Sequence, residues 1–228
     1  NAASMSTASL QKPTVTITSE SNFDPLLNGT GAAGVTAVEM PPLLIGPSSL
    51  RTAAQRGDPA AQFEIAARFA EGKGVKQDFK QAMIWYQRSA QAGFAPSQYR
   101  LATLYERGLG GKADQDRARA WYKRAADQGN VKAMHNLAVL STGRDNVAPD
   151  YAAAAQWFTE AADRGLADSQ FNLGVLYENG LGVQKDQSEA FKWFALAAQG
   201  GDKEALKRRD HVGARMQPDD AKIAEAKV

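Results

Sequence analysis

All four tryptophans of this 228-residue chain fall at one interval: Trp85, Trp121, Trp157 and Trp193 stand 36 residues apart. Each is followed by a second aromatic, Tyr86, Tyr122, Phe158 or Phe194. Gly57, Gly93, Gly129, Gly165 and Gly201 keep the same interval, as do Ala82, Ala118, Ala154 and Ala190 and the aspartates Asp78, Asp114, Asp150 and Asp186. A fixed period of about 20–50 residues means that one supersecondary unit recurs and stacks on itself, because such a unit cannot bury its apolar face alone.

Two helices are legible within each period. The first spans about Ala60 to Glu71 and its copies, with apolar residues at helical spacing, as in Leu173, Leu176 and Tyr177 of the fourth copy. The second begins at the recurring aspartate, whose carboxylate accepts from the free amides of a helix N-terminus; Asp78 with Gln81 and Asp186 with Glu189 also fit a capping box. It ends at the recurring glycine, which suits a left-handed cap. The expected fold is all-α, a right-handed α-solenoid of antiparallel helix pairs with repeats 57–92, 93–128, 129–164 and 165–200. Residues 48–56 read as an N-terminal cap and 201–228 as C-terminal capping helices, the last opened by Pro218. The tryptophans are expected in the core between helix pairs. Burying one removes about 150–250 Å² from water, on the order of 4–6 kcal/mol as an upper figure. The pairs Ala125-Ala126, Ala161-Ala162 and Ala197-Ala198 are expected where helices approach most closely.

Residues 1–47 differ in kind: they hold five of the nine prolines, four charged residues and no arginine, tyrosine or tryptophan. They read as an arm or linker, either a tether or a segment that packs on the solenoid through Pro25–Leu27 and Pro41–Ile45. The chain opens on Asn1 rather than methionine and reads as an excised piece of something longer.

The pattern Gly-x3-Ala-Gln-x2-Leu-Gly-x2-Tyr-x2-Gly-x-Gly-Val-x2-Asp-x3-Ala-x2-Trp-Phe-x3-Ala-Ala closely resembles the Sel-one-like repeat, a relative of the tetratricopeptide repeat, over about residues 48–217. The third copy departs from it, with Arg144 and Asn146 where glycines stand elsewhere. A narrower resemblance is to the periplasmic repeat region of PodJ-type polar localisation factors of alphaproteobacteria. It is carried by "PPLLIGPSSLRTAAQRGDPAAQFEIAARFAEGKGV", "GNVKAMHNLAVL" and "EAFKWFALAAQGGDKEALKRRD". That resemblance implies a membrane-anchored parent with a periplasmic solenoid; no cofactor is expected from the residues. In tetratricopeptide relatives the first helices line a groove. By helix phase the candidate groove residues here are Phe63, Tyr99, His135 and Phe171, either an exposed aromatic stripe or half-buried structural rings. Beside them stand the donors Arg100, Lys132, Asn136 and Asn172.

The remaining chemistry is sparse. There is no cysteine, so disulfides and thiolate sites are excluded, and a net charge of +2 gives no basic field for nucleic acid. His135 and His211, the only histidines, lie 76 residues apart, too far for a metal-ligand pair on one helix. Gly180-Leu-Gly182-Val-Gln-Lys185 has the look of a phosphate loop, yet it recurs as "EGKGVKQD" and "RGLGGKAD" and joins two helices, so it reads as a turn. A noncatalytic scaffold binding a protein or extended peptide is the reading these residues favour. A periplasmic regulator of a membrane sensor and a peptidoglycan-binding module are the alternatives, and the chain's own arm is a further candidate occupant of the groove.

Overall fold

The computed structural model describes residues 39–143 and 147–217, together with Lys222, Ala224 and Ala226. The arm before Glu39, Arg144 and Asn146 of the divergent loop, and most of the final helix expected from Pro218 lie outside the described residues.

Within them the chain forms ten α-helices and no strand: α1 (Ser48–Gln55), α2 (Pro59–Glu71), α3 (Phe79–Gln91), α4 (Ala95–Arg107), α5 (Gln115–Asp127), α6 (Val131–Ser141), α7 (Tyr151–Ala162), α8 (Ala167–Asn179), α9 (Gln187–Gln199) and α10 (Lys203–Gly213). Each helix packs chiefly on its neighbours in sequence, the arrangement of a solenoid. The four second helices, α3, α5, α7 and α9, start alike. Asp78, Asp114, Asp150 and Asp186 accept from the backbone amides of Gln81, Arg117, Ala153 and Glu189 at 2.9–3.0 Å. Capping of this kind satisfies amides that the helix itself leaves open. Several first helices are capped as well, by Asp58, Asn130 and Asp202.

The joints between repeats have three recurring parts. Aromatic rings fill the interior, with Trp121, Tyr122, Phe158 and Phe194 almost wholly removed from solvent. A glutamine near the start of the first helix reaches back to the carboxyl end of the preceding second helix, a region with unfilled carbonyls. Gln62 Nε2 donates to the Ala54 carbonyl, Gln98 Nε2 to Ala90 and Gln170 Nε2 to Ala162, at 3.1–3.2 Å. In the third repeat Met134 takes this place and is buried, so the latch is absent there.

The third part is the loop between the two helices. An added Cβ at Gly182 would lie 2.1 Å from the Tyr151 carbonyl oxygen, and one at Gly110 would lie 2.4 Å from the Phe79 oxygen. Tyr151 and Phe79 open the second helices of the preceding repeats, α7 and α3. The second glycine of these two loops therefore sits in backbone-to-backbone contact with the repeat before it, a purpose beyond tightening the turn.

The first repeat has no predecessor, and the segment expected as linker supplies one. Leu43–Ile45 form a 3-10 turn, and the Leu44 carbonyl oxygen stands against Gly74 as Phe79 stands against Gly110. Ile45 is fully buried, its carbonyl accepts from Arg68 Nη1 at 3.0 Å, and the Pro41 carbonyl accepts from Arg51 Nε at 2.8 Å. The packed structure thus begins before Ser48.

Two further expectations change. Trp85, Trp121 and Trp193 are buried, but Trp157 is only half-buried, because α7 is alanine-rich around it and leaves one side of the indole open. In the third repeat α6 has 11 residues rather than 13 and ends at Thr142 in right-handed geometry, where α2, α4 and α8 end on left-handed glycines.

Chemical denaturation distinguishes these positions. Trp121→Ala should cost about 3–5 kcal/mol, whereas Trp157→Ala should cost about half that, since less apolar surface and fewer contacts are lost. Gly182→Ala should cost about 2–4 kcal/mol, combining a positive φ with a Cβ driven into backbone. At Gly165, where φ is 82° and nothing lies within 4 Å of an added Cβ, alanine should cost only about 1–2 kcal/mol. Equal losses at the two glycines would show that the loop contact contributes nothing.

Candidate functional site

The first helices carry an aromatic position that repeats in space as well as in sequence. Phe63 packs on Tyr86, Tyr99 on Tyr122, His135 on Phe158 and Phe171 on Phe194, with ring centroids 5.4–5.8 Å apart and tilted or edge-on geometry. Such pairs contribute about 0.5–1.5 kcal/mol beyond the area they bury. The four residues are half-buried rungs joining the two helices of a repeat, so they do not form an open row of ring faces.

At one place this surface opens. A cavity of about 320 Å³ lies between α4, α6 and the start of α8, lined by Tyr99, Lys132, His135, Asn136, Leu166 and Asp168. Four candidate residues from the sequence therefore meet: Tyr99, Lys132, His135 and Asn136. Phe63, Arg100, Phe171 and Asn172 lie outside it; Phe63 is tied up with Tyr86 and Phe94, and Phe171 with Phe194. Arg100 is exposed, and its charge acts on the Tyr86 hydroxyl of the preceding repeat.

Side chains beneath the cavity hold its polar groups in place. Asn136 Nδ2 donates to the Tyr122 hydroxyl at 2.9 Å, and that hydroxyl donates to Glu106 Oε2 at 2.7 Å. Burial first, and the nearby Glu106 carboxylate with it, raises the Tyr122 hydroxyl far above the ordinary tyrosine value, so it stays a donor at any physiological pH. The chain Asn136, Tyr122, Glu106 thus has a fixed direction, and the Asn136 amide is held in place at the cavity wall. His135 Nδ1 pairs with the buried Ser169 hydroxyl at 2.8 Å. Burial lowers the His135 imidazole below its ordinary value, and the Asp168 carboxylate only partly offsets this. It is therefore neutral at pH 7, with one ring nitrogen committed to Ser169.

Lys132 and Asp168 provide the charge, and they occupy equivalent positions one repeat apart, where the earlier repeats have Ala60 and Pro96. The cavity consequently has a cation on one wall and an anion on the other, with a tyrosine ring, an amide and Leu166 between. Sequence reasoning passed over Leu166, Asp168, Ser169 and the Tyr122 hydroxyl. The signal that points to Asp168 is a change of charge at a solvent-facing position within an otherwise regular register. Among the described residues no group of three His, Cys, Asp or Glu side chains is placed to hold a metal, and no helix is long and apolar enough to cross a membrane.

Comparison with known proteins agrees with the period. The family model for the Sel1 repeat matches four consecutive windows, residues 59–94, 95–130, 131–166 and 167–202. A Sel1 repeat protein from Oxalobacter formigenes is 34% identical, with a TM-score of 0.65 over 72% of this chain and 47% of that one. The uropathogenic Escherichia coli protective antigen c5321, which displays an SLR fold, is 24% identical with a TM-score of 0.39, over 78% of this chain and 54% of its own. The chain thus spans about half the length of these two relatives. No curated protein matches it. With four contiguous matches covering most of the helices described above, the chain belongs to the Sel1 repeat family.

Proposed function

We propose that this solenoid is a noncatalytic scaffold that binds an extended peptide or a loop of a partner protein across the cavity between α4, α6 and α8. Sel1 repeat proteins generally act as protein–protein interaction scaffolds. The observation that carries the more specific reading is the pairing of Lys132 and Asp168 across a pocket whose amide and imidazole are already oriented from below. Preorganised donors and acceptors beside an apolar wall suit a peptide backbone, which presents both an N–H and a C=O at every residue. Lys132 and Asp168 would then select side chains or termini of opposite charge at the two ends.

A sugar-binding role draws less support, because the stripe aromatics are half-buried against partner rings in their own repeats. Self-occupancy by the arm draws none from its described part, which docks beside Phe69, Ile84 and Trp85 at the other end of the solenoid. The narrower resemblance to polar localisation factors supports a location in the periplasm, on a membrane-anchored parent that recruits envelope proteins.

A triple variant, Tyr99→Ala, Lys132→Ala and Asn136→Ala, tests the reading. Its helical content should stay close to that of the parent and its unfolding midpoint should fall, because the Tyr99 and Asn136 contacts to Tyr122 are lost. At a temperature where both are folded, chemical cross-linking to envelope proteins should fall at least about tenfold for the partner held here. Raising the salt from low to physiological should weaken the same complex, as charges at a solvent-exposed rim are screened. A folded variant that retains every cross-linked partner would overturn the proposal.

A further inference from the structure

The opposite face of the solenoid, carried by the second helices, has its own irregularity in the third repeat. A cavity of about 570 Å³ opens between α7 and the loop that follows α8, with Ala155, Gln156, Trp157, Glu160, Gly182 and Val183 among its walls. Comparing the repeats position by position explains its origin. The residue equivalent to Ala155 is Met83 in the first repeat, Arg119 in the second and Phe191 in the fourth. Each of these spans the gap to the following repeat. Met83 meets Gly111, Arg119 Nη2 donates to the Leu140 carbonyl at 3.4 Å, and Phe191 is buried against Gly213. Alanine reaches none of this, and the space stays open.

A second substitution sets the charge of that space. Three residues after the tryptophan, the first two repeats carry arginines that lie on the indole, with the Arg88 guanidinium carbon 4.7 Å from the Trp85 ring centre and Arg124 5.2 Å from Trp121. In the fourth repeat Lys192 lies 4.4 Å from the Trp193 ring. The third repeat has Glu160 at the arginine position. Glu160 pairs with the exposed Arg164 one turn on, at 2.7 Å, a solvent-screened contact that rearranges at little cost. The nearest cation to Trp157, Lys123 of α5, is 5.9 Å from the ring and is bound to Asp127 at 2.8 Å. Trp157 is thus the half-buried tryptophan of the four, with its own-helix cation replaced by a carboxylate.

We propose that this cavity receives an arginine side chain from an extended segment of a partner protein. The guanidinium lies on the Trp157 indole beside the Glu160 carboxylate, and the aliphatic stem lies against Ala155 and Val183. The arrangement reproduces in trans what Arg88 and Arg124 do in cis. Arginine suits it better than lysine, since a planar, weakly hydrated guanidinium stacks on an aromatic ring while its N–H groups reach a carboxylate. The site lies on a different face from the Lys132 cavity, so the two proposals stand or fall separately.

The test uses the full chain labelled with 5-fluorotryptophan, the Trp157 fluorine resonance being assigned by Trp157→Phe. The capped tripeptide glycyl-arginyl-glycine amide is titrated beside its citrulline counterpart, which has the same shape without the charge. The Trp157 resonance should shift saturably with the arginine peptide at about millimolar concentration, and the other three should not move. Glu160→Gln should weaken the titration about threefold. Ala155→Phe, which installs the residue of the fourth repeat, should abolish it, and the Tyr99, Lys132 and Asn136 triple variant should leave it unchanged. Indistinguishable responses to the arginine and citrulline peptides would overturn the proposal. So would a titration unaffected by Glu160→Gln, a surface change that does not endanger folding.

Discussion

The contact on which the rest of this solenoid depends is the one between the α-carbon of a loop glycine and a carbonyl at the start of the preceding repeat's second helix. Gly182 against Tyr151 and Gly110 against Phe79 bring two backbones closer than any side chain permits. Fixing that point fixes the distance between consecutive helix pairs. At that distance Gln98 and Gln170 reach the carbonyls of Ala90 and Ala162, and the large rings of Trp121, Tyr122, Phe158 and Phe194 fill the interval. The N-terminal segment makes the same contact by other means. With no earlier repeat to offer a helix, the chain folds Pro42–Gly46 into a turn that presents Leu44 to Gly74 and buries Ile45 behind it.

Much of this architecture is legible in the order of residues alone. The aspartate caps follow from residue type and phase, and the helix pairs from the period of tryptophan, glycine and alanine. What the period conceals is the reason for each recurrence. The second loop glycine looks like a turn residue in sequence because its essential neighbour is a carbonyl about 31 positions earlier, and carbonyls carry no residue identity. Trp157 reads as a core residue from its register. Its exposure goes with Ala155, unremarkable in isolation, where the other repeats carry a longer side chain. The aromatic stripe is legible as a set of positions, but whether its rings face solvent depends on Tyr86, Tyr122, Phe158 and Phe194 across the helix pair. The Pro-rich composition of residues 1–47 likewise conceals that its end is part of the packed structure.

Departures from the repeat gather around the third copy. Met134 replaces the latching glutamine, Arg144 stands where a left-handed glycine does elsewhere, Ala155 replaces a bridging side chain and Glu160 replaces an arginine. Lys132 belongs to the same copy, and Asp168 opens the next. The changes at Met134, Ala155 and Glu160 remove contacts that other joints make, so the solenoid is most irregular where both of its faces carry a cavity. In a stacked array, stability is close to a sum of local terms, and one joint can lose part of its packing while its neighbours hold the chain together.

That separation of roles is the physical argument for a binding scaffold. A position that recurs in every copy serves the stacking, which each copy must perform in the same way. A position that is solvent-facing, lies at the same register and changes its charge from copy to copy cannot serve the stacking, because the helices around it pack alike whichever charge it carries. Lys132 and Asp168 differ in this sense on the first-helix face, while on the second Glu160 puts the opposite charge where Arg124 lies on its indole. Both changes leave a charged group beside an opening bounded by aromatic and apolar surface. A partner that supplies the missing counter-charge and fills the adjoining space would restore, from outside, the interactions that the neighbouring repeats make for themselves.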